Sequence, residues 1–596
     1  MKGEISLMSS NSGNASRKRT PLVAAGVVIV VAIAAILYGT LSGGSGSNGG
    51  AQNGGQLVYV TNASQLNHLD PQRVYTGQDI AFLNSYVFRS LASYKPVPGQ
   101  DGFQLVPDLA TDIGTASDGG KTWKWTLKDG IKWQDGSALT CDDVKYGISR
   151  AFATDIITDG PSYAIQDIDI PTDAKGNSMY LGPYKKTGQD LYDKAVSCNG
   201  NTLTVHLNKP VGDFNYFGTY PAMSPVKQSA DTGAKYDNGP WALGPYKISS
   251  YKIGSQLELV RNPNWDPATD TIRHNFPDSI VMRFGVAEAA RDQIFLTDSV
   301  KNAVNYDQGL LPQNLDAFYN DAKNATRGNN ENSPYTRYYA YNVSAGHLDC
   351  VDIRKAIFFA WPIQGLIDLS GGEKYYGKVG DSPLDPLVPD YAPTTGNTHD
   401  TNFMKAGNPT YAKSLVEKAK TDCASTYARV TTKGFSIDIS DTATHRKAAA
   451  LIKSAMEGTG MKVNFNFIQP GVYYSTVQDP TKQGDMSAAG WAADWANAST
   501  VIPDLFIKNG GFDLDQNWND PAYADFAKKV AAAQAETDRT KQMSMWRELA
   551  QFVMDQYWIS VPIFNLDQYQ WGSQVGGVEY WLPQGSLIFT NLYVKK

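Results

Sequence analysis

The side chains that most often carry out chemistry are sparse in this sequence and poorly spaced for it. The six histidines, His68, His206, His274, His347, His399 and His445, lie far apart, and no His-x-x-x-His spacing sets two imidazoles on one helix face for a metal. Each reads as a surface or structural histidine. No Gly-x-Ser-x-Gly stretch supplies the strained turn of a hydrolase nucleophile. Asp513-Leu514-Asp515-Gln516-Asn517 has the opening of a calcium loop, but Trp518 stands where the turn needs Gly and Ala524 where a bidentate Glu belongs. Carboxylate pairs of the glycosidase kind are set by space, which the sequence leaves open. These residues assign no catalytic group, no metal and no cofactor, and the protein is expected not to be an enzyme.

The elements around them point elsewhere. The chain has 596 residues, 42% hydrophobic and 19% charged, with 53 basic and 59 acidic side chains for a net charge of −6. It is long enough for a sizeable core, and it lacks the basic excess that phosphate neutralisation requires, so nucleic acid is not an expected partner. The 13 Trp, 33 Tyr and 22 Phe far outnumber the histidines; rings with polar tips suit contact with polar organic ligands, though most of them are expected in the core.

The N-terminus indicates the compartment. Residues 1–20 end in the basic Arg17-Lys18-Arg19, and residues 21–41 are uncharged and rich in Val, Ile and Ala. About 20 apolar residues span a bilayer, and the preceding positive cluster keeps residues 1–20 in the cytoplasm. The segment is expected to be an uncleaved signal anchor, with a cleaved signal peptide as the rival. Residues 42–55, SGGSGSNGGAQNGG, form a flexible Gly/Ser tether. Everything beyond is expected on the extracytoplasmic side.

After the tether the text is β-rich, then mixed, then β-rich again. Trp123, Trp125 and Leu127 share a strand face, Asp129-Gly130 and Asp135-Gly136 turn, and Thr140 with Asp143 opens a helix through Val144, Ile148 and Phe152. Beyond about residue 330, helix patterns at Ile353-Ile357-Ala360 and Leu451-Ile452-Met456 alternate with strands such as Val463-Phe465-Phe467. This order predicts an α/β protein of two lobes, the first made of residues 56–330 and 556–596, the second of residues 331–555. Cys141, Cys198, Cys350 and Cys423 contain no Cys-x-x-Cys pair. An even count in an exported chain reads as two disulfides. Three pairings are possible, with four free thiols as the alternative, and the lobe organisation groups Cys141 with Cys198 and Cys350 with Cys423.

Residues 122–152, TWKWTLKDGIKWQDGSALTCDDVKYGISRAF, strongly resemble the signature of the extracytoplasmic solute-binding proteins of peptide-type ABC importers, family 5. Further blocks agree in order: LNHLDP at 66–71, VPDLA at 106–110, LGPYK at 243–247, VRNPNW at 260–265, DIRKA at 352–356 and GWAADW at 490–495. The resemblance implies a type II periplasmic-binding fold with an extra subdomain in the first lobe, at about residues 100–200. It also implies hinge closure around a ligand, and a permease with its ATPase as partners of a monomeric receptor.

In the peptide-binding members the Asp of the Gly-Trp-x-x-Asp block pairs with the ligand's ammonium, and adjacent main chain pairs with the peptide. The resemblance thus nominates Asp494, with Trp491, Ala492, Ala493 and Trp495 around it. The alternative is that Asp494 caps a helix or pairs with an arginine of the protein. Dipeptide-specific relatives carry an Arg for the ligand's carboxylate shortly before the helix that here holds Arg446; this sequence has Ile439-Ser440-Asp441 there, which favours longer peptides. Other readings are a receptor for a different solute such as an oligosaccharide, or a sensor subunit that does not import. N-terminal sequencing of the exported protein tests the anchor: the sequence should begin upstream of residue 21, whereas a start near Gly43 would mean cleavage.

Overall fold

The computed structural model describes residues 50–596 apart from 308, 396–400, 509 and 537. The expected cytoplasmic segment 1–20, anchor 21–41 and most of the tether lie outside the described residues, among which no helix is long and apolar enough to cross a membrane.

The first sheet has five strands in the order Ala303–Asn305, β1 (Gln56–Val60), Ser279–Arg283, Gln256–Arg261, Tyr246–Lys252. β1 runs parallel to both of its neighbours. After Gln56 it is a continuous apolar run, and Val58 and Val60 are as buried as Leu57 and Tyr59, because a central parallel strand is covered on both faces. A four-stranded sheet, ordered Thr115–Ser117, β2 (Thr122–Thr126), Thr202–His206, Val196–Asn199, carries the tryptophan motif and extends past residue 200, where the extra segment was expected to end.

The predicted helix follows as α1 (Cys141–Arg150). The Thr140 hydroxyl accepts the Asp143 N–H, and the Asp143 carboxylate accepts the Thr140 N–H at 2.9 Å, which satisfies donors that a helix start leaves unpaired. From its last residue the Arg150 guanidinium donates to both carboxylate oxygens of Asp70, at 2.7 and 2.6 Å, with both side chains fully buried. Two of the motif blocks are thereby clamped together.

The second sheet has six strands, in the order Gly377–Val379, β6, β3, β5, β4, Val463–Ile468, where β3 is Glu331–Tyr341, β4 is Phe435–Ser440, β5 is Met486–Ala492 and β6 is Ile563–Asp567. The expected return to the first lobe at residue 556 is therefore too early. β6 pairs with β3 in the second sheet, and the chain crosses back only after Asp567. The two crossings lie side by side: Gly328 bridges Gln570, and the Asn329 N–H donates to the Tyr569 carbonyl at 3.1 Å.

Much of the aromatic surplus is core, with Trp125, Trp133, Trp546 and Trp558 fully buried. The disulfides pair as the organisation indicated: Cys141–Cys198 fastens α1 to the four-stranded sheet, and Cys350–Cys423 joins the start of helix Val351–Ala360 to the end of helix Pro409–Asp422. They span 57 and 73 residues, so each should stabilise the fold by about 4 kcal/mol through loop entropy. Urea unfolding of C141A/C198A and C350A/C423A variants, compared with the parent, should show losses of that order.

Candidate functional site

A cavity of about 270 Å³ lies where residues of the first lobe, among them Tyr75, Gly77 and Tyr220, face the second-lobe strand β5 and the residues after it. Its floor follows from register. β3 and β5 pair antiparallel with Tyr335 opposite Ala492, Arg337 opposite Gly490 and Tyr339 opposite Ala488, so one face sets long side chains on β3 against small residues on β5.

The same register exposes main chain. Tyr339 directs both its N–H and its C=O to Ser560, at 2.9 Å each, away from β5, and the Ala488 carbonyl accepts the Tyr473 hydroxyl at 2.6 Å. Tyr339 and Ala488 are thus a non-hydrogen-bonded pair, and by alternation so are Arg337–Gly490 and Tyr335–Ala492. Gly490 and Ala492 point their N–H and C=O groups away from β3. β4 does not reach them, because its pairing with β5 covers only Met486 and Ser487. Among the described residues these groups find no other main-chain partner, and both residues line the cavity. A short open strand edge results.

Asp494 stands at the end of that edge. Its N–H donates to Thr500 Oγ1 at 3.0 Å, and its carbonyl accepts the hydroxyls of Tyr94 and Tyr220 at 3.2 and 3.4 Å. Carboxylate oxygen Oδ2 accepts hydroxyls from two first-lobe residues, Tyr75 at 2.6 Å and Tyr163. Among the described residues no Lys, Arg or His pairs with it, so the alternative of an arginine partner does not hold. Burial pushes its pKa up to about 6, while the tyrosine hydroxyls act against a larger rise.

The Tyr163 hydroxyl also lies 2.9 Å from Asp504 Oδ2. A hydroxyl has one proton to donate. If Tyr163 gives it to Asp494, its oxygen must accept from Asp504, which requires Asp504 to be protonated. Burial, and then repulsion from Asp494, push the Asp504 pKa up to about 8, so the arrangement at neutral pH is a directed chain from Asp504 through Tyr163 to a charged Asp494.

Of the residues nominated from sequence, Trp491, Ala492, Ala493 and Asp494 line the cavity. Trp491 is fixed by a 2.8 Å bond from its indole N–H to the Thr500 carbonyl and stacks on Phe512. The expectation for Trp495 is corrected. Its indole donates to Asp213 at 2.6 Å, its ring stacks on Tyr216 and packs against Tyr163, and it lines a different cavity. It follows the end of β5, where the alternation that would aim it at the ligand no longer applies. Tyr75, Tyr94, Tyr163, Tyr220 and Asp504 were not predicted; the tyrosine surplus was visible, but not which hydroxyls converge.

Residues 104–513 match the middle region of the bacterial extracellular solute-binding proteins, family 5. The chain belongs to this family. Family 5 relatives include the oligopeptide-binding protein OppA of Bacillus subtilis, 24% identical over 82% of this chain and 84% of its own length. The periplasmic oligopeptide-binding protein OppA of Salmonella typhimurium is 23% identical over 80% and 82%. Among solved structures, the clavulanic acid biosynthesis oligopeptide binding protein 2 superposes with a TM-score of 0.75 at 25% identity, covering 91% of this chain and 96% of its own. Haemophilus influenzae OppA, in complex with RPPGFSPFR, gives 0.71 at 19% identity over 92% and 100%. The fold is the two-lobed type II binding fold of family 5, and its members are extracytoplasmic solute-binding proteins.

Asp494 and Asp504 have folded pKa values raised from 3.8 to about 6 and about 8. Their contribution to stability is complete below about pH 4 and is lost as pH rises through those values. Thermal unfolding of the ligand-free protein should therefore show stability falling from about pH 4 to pH 8, by about 2–3 kcal/mol per unit below pH 6, where both groups differ, and by about 1 kcal/mol per unit above it. D504N, whose amide mimics the protonated acid, should flatten the upper part of that decline; an unchanged slope above pH 7 would contradict the proton chain.

Proposed function

We propose that this protein captures oligopeptides between its two lobes on the extracytoplasmic side of the membrane and delivers them to an ABC permease with its ATPase. It acts as a monomer, without cofactor, held at the membrane by its N-terminal segment. The observation that carries this reading is the open edge at Gly490 and Ala492 ending at a carboxylate without a protein cation. An extended peptide satisfies both features at once, its main chain pairing with the edge and its terminal ammonium meeting Asp494. Main-chain pairing does not depend on the ligand's side chains, which suits a receptor for varied peptides. The relatives named as oligopeptide-binding proteins support the same reading.

Closure follows from the site's composition. Tyr75 and Tyr163 belong to the first lobe and Asp494 to the second, so the ammonium pocket is complete only when the lobes meet. Only a ligand that binds the closed form better than the open one can shift that equilibrium. An ammonium does so by neutralising a carboxylate that closure has taken out of water.

D494N keeps the shape and removes the charge. It should lose about 2–5 kcal/mol of binding to tri- to pentapeptides, and acetylating the peptide's amino terminus should weaken binding to the parent but cost little more in D494N. Isothermal calorimetry with free and acetylated peptides measures this. Equal affinity of the parent for both forms would refute the ammonium role and favour a different solute.

A further inference from the structure

A second cavity, of about 400 Å³, shares the lining residue Tyr474 with the first. Arg337 lines it. The side chain lies across β5 at Gly490, where a Cβ would come within 2.6 Å of Nη1 and 2.7 Å of Cδ, so glycine is what allows the guanidinium its place. It rests over the Tyr335 ring at 5.1 Å from the centroid. Among the described residues it makes no hydrogen bond and has no carboxylate within ion-pair distance, in contrast to the fully buried Arg89 and Arg150, which are both paired.

Among the described residues, the groups around it make no direct ionic contact with that charge. Asp567 lines the same cavity beyond ion-pair distance of Arg337; its carboxylate accepts the Tyr580 hydroxyl at 2.7 Å, and burial pushes its pKa up while Tyr580 and the Arg337 charge act against the rise. His445 faces the Ser440 carbonyl through Nδ1 at 3.0 Å, and burial lowers its pKa and keeps it neutral. Lys378 is on the neighbouring strand Gly377–Val379 but does not line the cavity. Arg446, the cation nearest the family's usual carboxylate position, is paired with Asp441 at 2.7 Å outside the cavity.

We propose that Arg337 seats a carboxylate of the ligand, either the C-terminal carboxylate of a short peptide or an acidic side chain near its end. The assignment rests on the peptide reading above and adds to it a preference for acidic ends. A guanidinium offers a flat fork of donors that matches a carboxylate bidentately. Gly490, opposite Arg337, precedes Asp494 by four positions, which is about 13 Å of extended chain. A peptide whose amine sits at Asp494 and whose chain follows the edge of β5 would bring roughly its third to fifth residue within reach of Arg337.

The test is calorimetry on the full chain with tetrapeptides of uncharged side chains, each with a free or acetylated amino terminus and a free or amidated carboxyl terminus. Amidation should weaken binding to the parent by about 10- to 100-fold, and a Glu at the third or fourth residue of the amidated peptide should restore binding if the side-chain source is accepted. R337Q should bind acid and amide alike while keeping its response to acetylation. R337K, which keeps the charge, should retain part of the discrimination and guards against loss of fold in R337Q. An amidation ratio in R337Q equal to that of the parent, or no amidation effect in the parent, overturns the proposal. Loss of the acetylation effect alone would count against Asp494 and leave Arg337 standing.

Discussion

The cleft depends on one electrostatic constraint: a carboxylate, Asp494, held between two lobes with hydroxyls for partners and, among the described residues, no cation. Burial raises the free energy of its charged form, and the hydroxyls of Tyr75 and Tyr163 lower it only in part. A hydroxyl donor stabilises the charge without cancelling it, so the site keeps its attraction for a positive group. Asp504, whose pKa burial and repulsion from Asp494 push up to about 8, lies 2.9 Å from the Tyr163 hydroxyl and, when protonated, directs its donation toward Asp494. On the proposed function, ligand affinity and lobe closure arise from the same incomplete compensation.

Several other buried carboxylates have cationic partners. Asp108 is gripped by Arg89 at 2.9 Å and Arg273 at 2.7 Å, with all three side chains almost wholly buried. Asp70 and Arg150 form a bidentate pair, and Arg354 binds Asp520 at 2.7 Å. Breaking such a pair would strand a charge in a low-dielectric interior, which is why each lobe resists deformation at these points. At these points charge is paired within a lobe, whereas at the cleft Asp494 and Arg337, of opposite sign, have no ionic partner among the described residues. That polarity along β5 is what a zwitterionic chain would recognise.

The strand edge works with this polarity because of side-chain size. Ala488, Gly490 and Ala492 share one face of β5 opposite Tyr339, Arg337 and Tyr335. Larger residues on β5 would fill the trough, and at Gly490 any side chain would displace the guanidinium. The early end of β4 then leaves Gly490 and Ala492 without a neighbouring strand. Side-chain volume on one strand and the length of the next together create a ligand-sized gap in an otherwise continuous sheet.

Much of this was legible in the sequence. The capped helix at Thr140, the α/β alternation after residue 330, the pairing of the four cysteines and the Gly-Trp-x-x-Asp block depend on local pattern or on spacing along the chain, and such features survive in one dimension. The return crossing was read too early because Val561 and Ile563 look like any β text, and only pairing with β3 assigns β6 to the second sheet. Trp495 was read as a ligand contact because it adjoins Asp494, although adjacency in sequence does not fix the direction of a ring once the strand has ended. The hydrogen bonds that bring Tyr75, Tyr163 and Asp504 together at Asp494 each join residues more than 300 positions apart, and no local pattern encodes such a meeting. Arg337 was invisible for the converse reason: what distinguishes it is the lack of an ionic partner, a property of its surroundings that residue type and spacing do not carry. Composition and motif thus determined which kind of protein this is, and the tertiary structure decided which charges stay uncompensated, because compensation depends on distance in space.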